Sequence, residues 1–123
     1  MAQAAGALLS EALQKIDLTE HVATHPRLGV VDHISFHPLE NCSLQELGAF
    51  VQSFGSQISD ENQLPVLLYG SAEDNRKTLA EVRRSTGYFK EGLAVDSSVE
   101  ADFGPSAVDP HRGILCLGWV CFF

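Results

Sequence analysis

The segment that most restricts how this chain can fold is "ILCLGWVCFF", Ile114 to Phe123, ten residues without one charged side chain. As a helix it would reach only about 15 Å, half the hydrocarbon thickness of a bilayer, so it is too short to span one. An unbroken apolar run of this length reads instead as a strand with both faces covered. Chain ends are normally exposed, so such a terminus implies further protein over it, or a chain that has been cut short. "PVLLYG", Pro65 to Gly70, has the same character and reads as a second strand, covered on both faces or central.

Helical periods separate these runs. Ala5, Leu9, Ala12, Leu13 and Ile16 recur at helical spacing, with Glu11 early and Lys15 late as the helix dipole prefers. Ser43 with Glu46 has the spacing of a capping box, and Cys42 with Leu47 that of a hydrophobic staple. The helix so begun presents Leu47, Phe50, Val51, Phe54 and Ile58 along one stripe, and "SDENQLP" closes it. Thr78 with Glu81 caps a short helix from about Leu79 to Arg84, and Gly87 to Pro105 reads as loop. A further strand is expected over Val30 to Phe36. The sum is an α+β domain, a small mixed β-sheet with helices packed on one face.

At 123 residues one domain is expected, and 45% hydrophobic against 20% charged residues places the chain far from disorder. The net charge of -8 argues against nucleic acid as a partner, which calls for a clustered positive field. Cys42, Cys116 and Cys121 form no CxxC pair and sit among apolar residues, so buried reduced thiols are expected. The amino terminus carries neither a signal-peptide pattern nor a spanning helix. Together these features describe a cytoplasmic chain with no membrane association.

Three of the five histidines lie in "THPRLGVVDHISFHPLENCS". On a strand, Val31, His33, Ser35 and His37 share one face and Val30, Asp32, Ile34 and Phe36 the other. His33 and His37 would stand about 13 Å apart along it, too far to share one metal ion. Partly exposed imidazoles on a polar strand face are the expected reading, and a zinc site would need another pair, such as His21 with His25. His25 differs, because Pro26, Arg27 and Gly29 build a turn around it at a strand entrance, where a held imidazole can act as acid or base near neutral pH. Arg76, Lys77, Arg83, Arg84 and Lys90 place five of eight basic residues within fifteen positions. They read as a solvated helix face, with attraction of a carboxylate ligand as the alternative.

"HPRLGVVDHISFHPL" resembles the HPR-(hydrophobic)-G-x-x-D-x-x-x-F-x-P segment of the formiminotransferase N-terminal subdomain. The same order continues through "PVLLYGSAED", "NRKTLAEVRRSTGYFKEG" and "DFGPSAVDPHRGILCLG". The variant details "HPRLGVVDH" and "GYFK" are similar to the plant formiminotransferase-cyclodeaminase-like proteins. The resemblance implies a glutamate formimidoyltransferase, moving a formimino group between N-formimino-L-glutamate and the co-substrate tetrahydrofolate in one-carbon metabolism. It maps the family's acid/base histidine onto His25. It maps the folate-contacting segment onto Gly104, Pro105, Ser106, Ala107, Val108, Asp109, Pro110, His111, Arg112 and Gly113. Glycine and proline there would let backbone amides approach a flat pterin; from the residues alone the segment reads as a plain connecting turn.

The departures from the family matter as much. Its opening strand-helix-strand, with a VPNxSEG-like motif and an acidic residue that assists the histidine, has no counterpart before Met1. The C-terminal subdomain that supplies an arginine and the second wall of the substrate tunnel has none after Phe123. His33 and His37 replace hydrophobic residues, and "HRG" replaces a WG-type turn. The expectation is therefore an incomplete subdomain that self-associates. It is part of a transferase completed by other segments or, alternatively, a noncatalytic or truncated relative serving as a folate-binding or assembly module.

Overall fold

A computed structural model describes residues 2–25, 27–72, 77–87 and 97–119. Helix α1 covers Ala2–Lys15, followed by a single 3-10 turn, Leu18–Glu20, capped by Asp17. Strand β1 (His33–Phe36), helix α2 (Leu44–Asn62), strand β2 (Val66–Gly70), helix α3 (Leu79–Ser85) and strand β3 (Leu115–Trp119) complete the order. The domain is small and α+β, as the periodicity suggests.

Both capping boxes form. The Ser43 Oγ accepts from the Glu46 amide at 3.2 Å while Glu46 reaches back to the Ser43 amide at 2.9 Å. Thr78 and Glu81 repeat the arrangement at 3.2 and 2.7 Å. Each box satisfies amides that the first helical turn leaves without partners. Helix α2 runs on through Ser59–Asn62 and stops at Gln63, which adopts the left-handed conformation. The staple does not form, because the Cys42 thiol is exposed and lies 3.6 Å from the Ser43 carbonyl. Of the three cysteines expected to be buried, Cys116 is, and Cys121 lies outside the described residues.

The strand order is β1-β3-β2, so the last strand in sequence is central and lies between the two that α2 connects. All three named strands run parallel, with His33 opposite Cys116 and Cys116 opposite Leu67. Among the described residues antiparallel pairing, which a mixed sheet would have shown in full strands, is confined to isolated bridges such as Gly29 with Gly113 and Val66 with Phe103. β1 begins at His33 and not at Val30, because Val30 donates to the Arg112 carbonyl at 3.0 Å and is drawn out of the ladder.

Period-2 alternation distributes the apolar strands between two cores. Leu115, Leu117 and Trp119 join Val66 and Leu68 against the α2 stripe Leu47, Val51, Phe54 and Ile58, with Leu9 of α1 behind it. Phe36, Phe50 and Phe54 close one end, with ring centroids 5.1 to 5.9 Å apart. Gly55 brings α2 close to the sheet, since a Cβ there would meet Leu117 at 3.0 Å and Phe103 at 3.1 Å. On the opposite face Cys116, Leu67 and Tyr69 pack with Leu28, Ile114 and Val82 of α3. The helices are thus divided between the faces, with α1 and α2 on one and the short α3 on the other. Ile16, expected in the buried stripe of α1, is 45% exposed because the helix ends at Lys15. The free edge of β2 is covered: Val66 exchanges hydrogen bonds with Phe103 and Asp102, and the Asp102 carboxylate accepts from the Leu68 amide at 2.6 Å.

Candidate functional site

The turn carrying His25 is fixed from several directions. The His21 Nε2 donates to the His25 carbonyl at 2.9 Å, and the Arg27 guanidinium donates to the Val30 carbonyl. The Leu28 and Gly29 amides both donate to Asp32 Oδ1, at 2.7 and 3.2 Å. The Ile114 amide donates to the Leu28 carbonyl at 3.0 Å, completing the Gly29–Gly113 bridge. The His25 side chain is exposed, and Pro26 lies outside the described residues.

That bridge joins the turn to one end of the 104–113 segment. At its other end Gly104 lies over the carboxyl end of α2, where a Cβ would collide with Ser59 and the Leu64 carbonyl. Gly104 and Gly113 both have positive φ, +86° and +72°, and Gly113 is pressed against Leu28 and Gly29. The space a side chain would need at either glycine is filled by the protein itself. Between them, the Ser106 carbonyl accepts from Val99 at 2.8 Å, Val108 donates to Ser97 at 3.0 Å, and Ala107 bridges Ser98. Pro105 is partly exposed and Pro110 exposed. Asp109 caps a turn by accepting from the amides of His111, Arg112 and Gly113.

His111 and Arg112 then anchor this turn to the helices. Arg112 donates to the Asn62 carbonyl at 2.6 Å, and Leu18 donates to the His111 carbonyl at 2.8 Å. The His111 imidazole lies 3.0 Å from both Asp17 carboxylate oxygens. Hydrogen bonds from Thr19, and next from His111, hold the Asp17 pKa down at about 2, while Asp17 raises that of His111. A shallow cleft of about 320 Å³ opens here beside Leu13, Lys15, Asp17, Asp109, His111 and Arg112. A larger one of about 460 Å³ lies between α3, β2 and residues 98–102, and is lined by Lys77 of the basic cluster but by no residue of the 104–113 segment. His25 lines neither cleft.

Sequence reasoning missed a polar group on the α3 side of the sheet. Asp32 Oδ2 accepts from Arg83 Nη2 at 3.0 Å, and that guanidinium stands 3.4 Å from His33 Nδ1. Arg83 is therefore not on a solvated helix face; its side chain is only 20% exposed. Arg76 and Lys90 of the basic cluster lie outside the described residues. The Ser35 and Tyr69 hydroxyls meet across the central strand, where Gly118 stands opposite both residues and leaves room for the ring; a Cβ would meet it at 2.9 Å. Burial raises the Tyr69 pKa and pushes that of the Cys116 thiol up to about 12. Strand alternation could not place the Asp32 group, since it assigns Asp32 to the face of Ile34 and Phe36, which pack on the α2 side, whereas β1 starts only at His33 and the carboxylate reaches α3. Among the described residues no three His, Cys, Asp or Glu side chains converge on a common point that could hold a metal ion. Nor is any described helix long and apolar enough to cross a membrane.

A family model described as the formiminotransferase domain, N-terminal subdomain, matches residues 1–120. The chain is similar to a formiminotransferase cyclodeaminase-like protein of Arabidopsis thaliana, 36% identical over 93% of this chain and 43% of that protein. It is 34% identical to the formimidoyltransferase-cyclodeaminase of Gallus gallus over 87% of this chain and 20% of that one. With the glutamate formimidoyltransferase of Streptococcus pyogenes serotype M1 it shares 30% identity over 94% and 40% of the two chains. It spans less than half the length of each of these relatives.

Proposed function

Because this chain belongs to the formiminotransferase family, as its N-terminal subdomain, we propose that it forms one wall of an enzyme that transfers a formimino group between N-formimino-L-glutamate and tetrahydrofolate. In this reading His25 takes the proton from folate N5 as that nitrogen bonds to the formimino carbon. It then returns the proton to the glutamate amine as the old carbon–nitrogen bond breaks, releasing glutamate. General acid/base assistance of this kind contributes roughly 10²- to 10⁴-fold. The observation that carries the reading is the Gly29–Gly113 bridge, which holds the turn bearing an exposed imidazole against the segment expected to contact folate. The remaining contacts to both substrates would come from chain beyond these 123 residues or from a partner chain. The setting we propose is cytoplasmic one-carbon metabolism.

The test is formation of 5-formiminotetrahydrofolate by the full-length protein and by its His25→Ala variant. Loss of at least about 100-fold in turnover with folding retained is expected, and unchanged turnover would remove His25 from the mechanism. A second reading, a noncatalytic folate-binding or assembly module, is favoured by one observation, that His25 lines neither of the two clefts described above. It requires that these 123 residues alone bind folate with a Kd of about 1 μM or tighter. The transferase reading requires weak binding and self-association, and calorimetry with light scattering separates the two.

A further inference from the structure

We propose that Asp32 is a positioning residue for His25: its carboxylate, oriented by Arg83, sets the backbone of the turn from which the imidazole projects. The proposal rests on the acid/base reading of His25 given above. Its geometric part stands on its own.

Asp32 is itself immobilised, because its carbonyl accepts from the Cys116 amide of the central strand at 3.0 Å. One carboxylate oxygen then takes both the Leu28 and Gly29 amides, and the other takes Arg83 Nη2. Two consecutive amides converging on one oxygen add the hold of the carboxylate to that of the Ile114 amide on the Leu28 carbonyl. Leu28 and Gly29 are buried, so an amide released from the carboxylate would not simply turn to water. Asp32 and Arg83 side chains are 21% and 20% exposed, so their attraction is screened far less than that of a surface pair. Arg83 also keeps the carboxylate from rotating away from the turn. The chain of contacts runs from α3 through Arg83 and Asp32 to Leu28–Gly29. Three residues further back stands His25, whose carbonyl is held by His21. An acid/base group must be placed to within a fraction of an ångström, and a misplacement of about 1 Å can cost about 100-fold in rate.

The experiment compares Asp32→Ala, Asp32→Asn, Arg83→Met and the Asp32→Asn/Arg83→Met pair. Asparagine keeps the Oδ1 acceptor, and the pair leaves no uncompensated charge. In nuclear magnetic resonance spectra of the 123-residue chain, Asp32→Ala is expected to move the Leu28 and Gly29 amide signals and the His25 imidazole signals. In the full-length protein the same change is expected to lower kcat by roughly 30- to 100-fold with KM altered less than about threefold. Arg83→Met and the double variant, which keep an Oδ1 acceptor but lose the guanidinium that orients it, are expected to fall between Asp32→Ala and the original protein in kcat. Should Asp32→Ala fail to fold, Arg83→Met and the double variant carry the comparison: displaced His25 signals in both support the proposal, and unmoved signals in both overturn it. Unmoved Leu28, Gly29 and His25 signals in a folded Asp32→Ala protein would overturn the proposal. So would an unchanged kcat in Asp32→Ala beside an inactive His25→Ala. Full activity of His25→Ala would overturn the catalytic reading instead, while the response of the Leu28 and Gly29 amides still reports on the Asp32 contact.

Discussion

Replacement of Gly113 by alanine tests whether the Gly29–Gly113 bridge holds the domain together. Gly113 sits at φ +72°, where an L-residue costs about 1–2 kcal/mol. The new Cβ would also run into the Leu28 carbonyl and approach Gly29 Cα at 2.5 Å. Both obstacles are backbone, so no side chain can swing aside and the two segments must part. Separation strains the flanking bonds, Val30 to Arg112 and Ile114 to Leu28, each 3.0 Å. If both are lost, at about 0.5–1.5 kcal/mol each, the total destabilisation is about 2–5 kcal/mol. Against a typical domain stability of about 5–15 kcal/mol that is a large fraction. In urea denaturation the midpoint should fall by roughly 1–2 M with little change in slope. Gly6→Ala is the control: it lies in α1, and its Cβ would make only ordinary contacts, 3.9 Å to Ile58 and 4.0 Å to Phe54. That variant should gain about 0.5–1 kcal/mol. A Gly113→Ala midpoint equal to that of the original protein, or matching the Gly6→Ala control, would refute the reasoning.

Ser43→Ala removes the capping box of α2 and should cost about 1 kcal/mol, with the Glu46 carboxyl, now held low by Ser43, rising toward its ordinary value; an unchanged carbon-13 titration of Glu46 would contradict this. Because Asp17 raises the His111 pKa above 6.5, the contribution of His111 is complete below pH 6.5 and lost as pH rises through the raised value. That of Asp17 is present above 3.8 and lost as pH falls toward 2. The Asp17→Asn variant should therefore lower the His111 imidazole midpoint in proton spectra, and an unmoved midpoint would show that the contact does not persist in solution. Among Cys42 and Cys116, iodoacetamide near pH 8 should modify the exposed Cys42 and spare the buried Cys116 in the folded chain; equal rates by peptide mass spectrometry would contradict the burial.

What could be read from sequence here was local. Ser43 with Glu46 and Thr78 with Glu81 specify helix starts within four residues, so no distant contact is needed to interpret them. The apolar runs at Val66–Gly70 and Leu115–Trp119 announced their double burial because no polar residue interrupts them. Strand order was not legible, since nothing in either run says that the later one would lie between the two earlier strands. Arg83 follows Val82 on a short helix and looks like a solvent-facing residue until the sheet places Asp32 beneath it. Burial of Cys42 does not follow from its apolar surroundings, because its nearest apolar neighbour, Leu44, is itself 42% exposed. The 104–113 segment could be placed only by resemblance, because its contacts reach Asp17, Leu28, Ser59 and Asn62, far away in the chain.

The central position of β3 governs when this domain can fold during synthesis. Helix α2 carries its own start signal and can form as soon as it emerges from the ribosome. His33–Phe36 and Val66–Gly70, however, both take their ladder partners from residues 115–119. Until those residues emerge, the two earlier strands lack the ladder partners that β3 provides, and apolar residues of β2 such as Leu67 and Leu68 stay open to other chains. Closing contacts this distant in sequence is slow, and unpaired apolar strands are the species that aggregate. The nascent chain is thus most vulnerable over the interval between residue 70 and residue 115, when a holdase chaperone would have the greatest effect on yield.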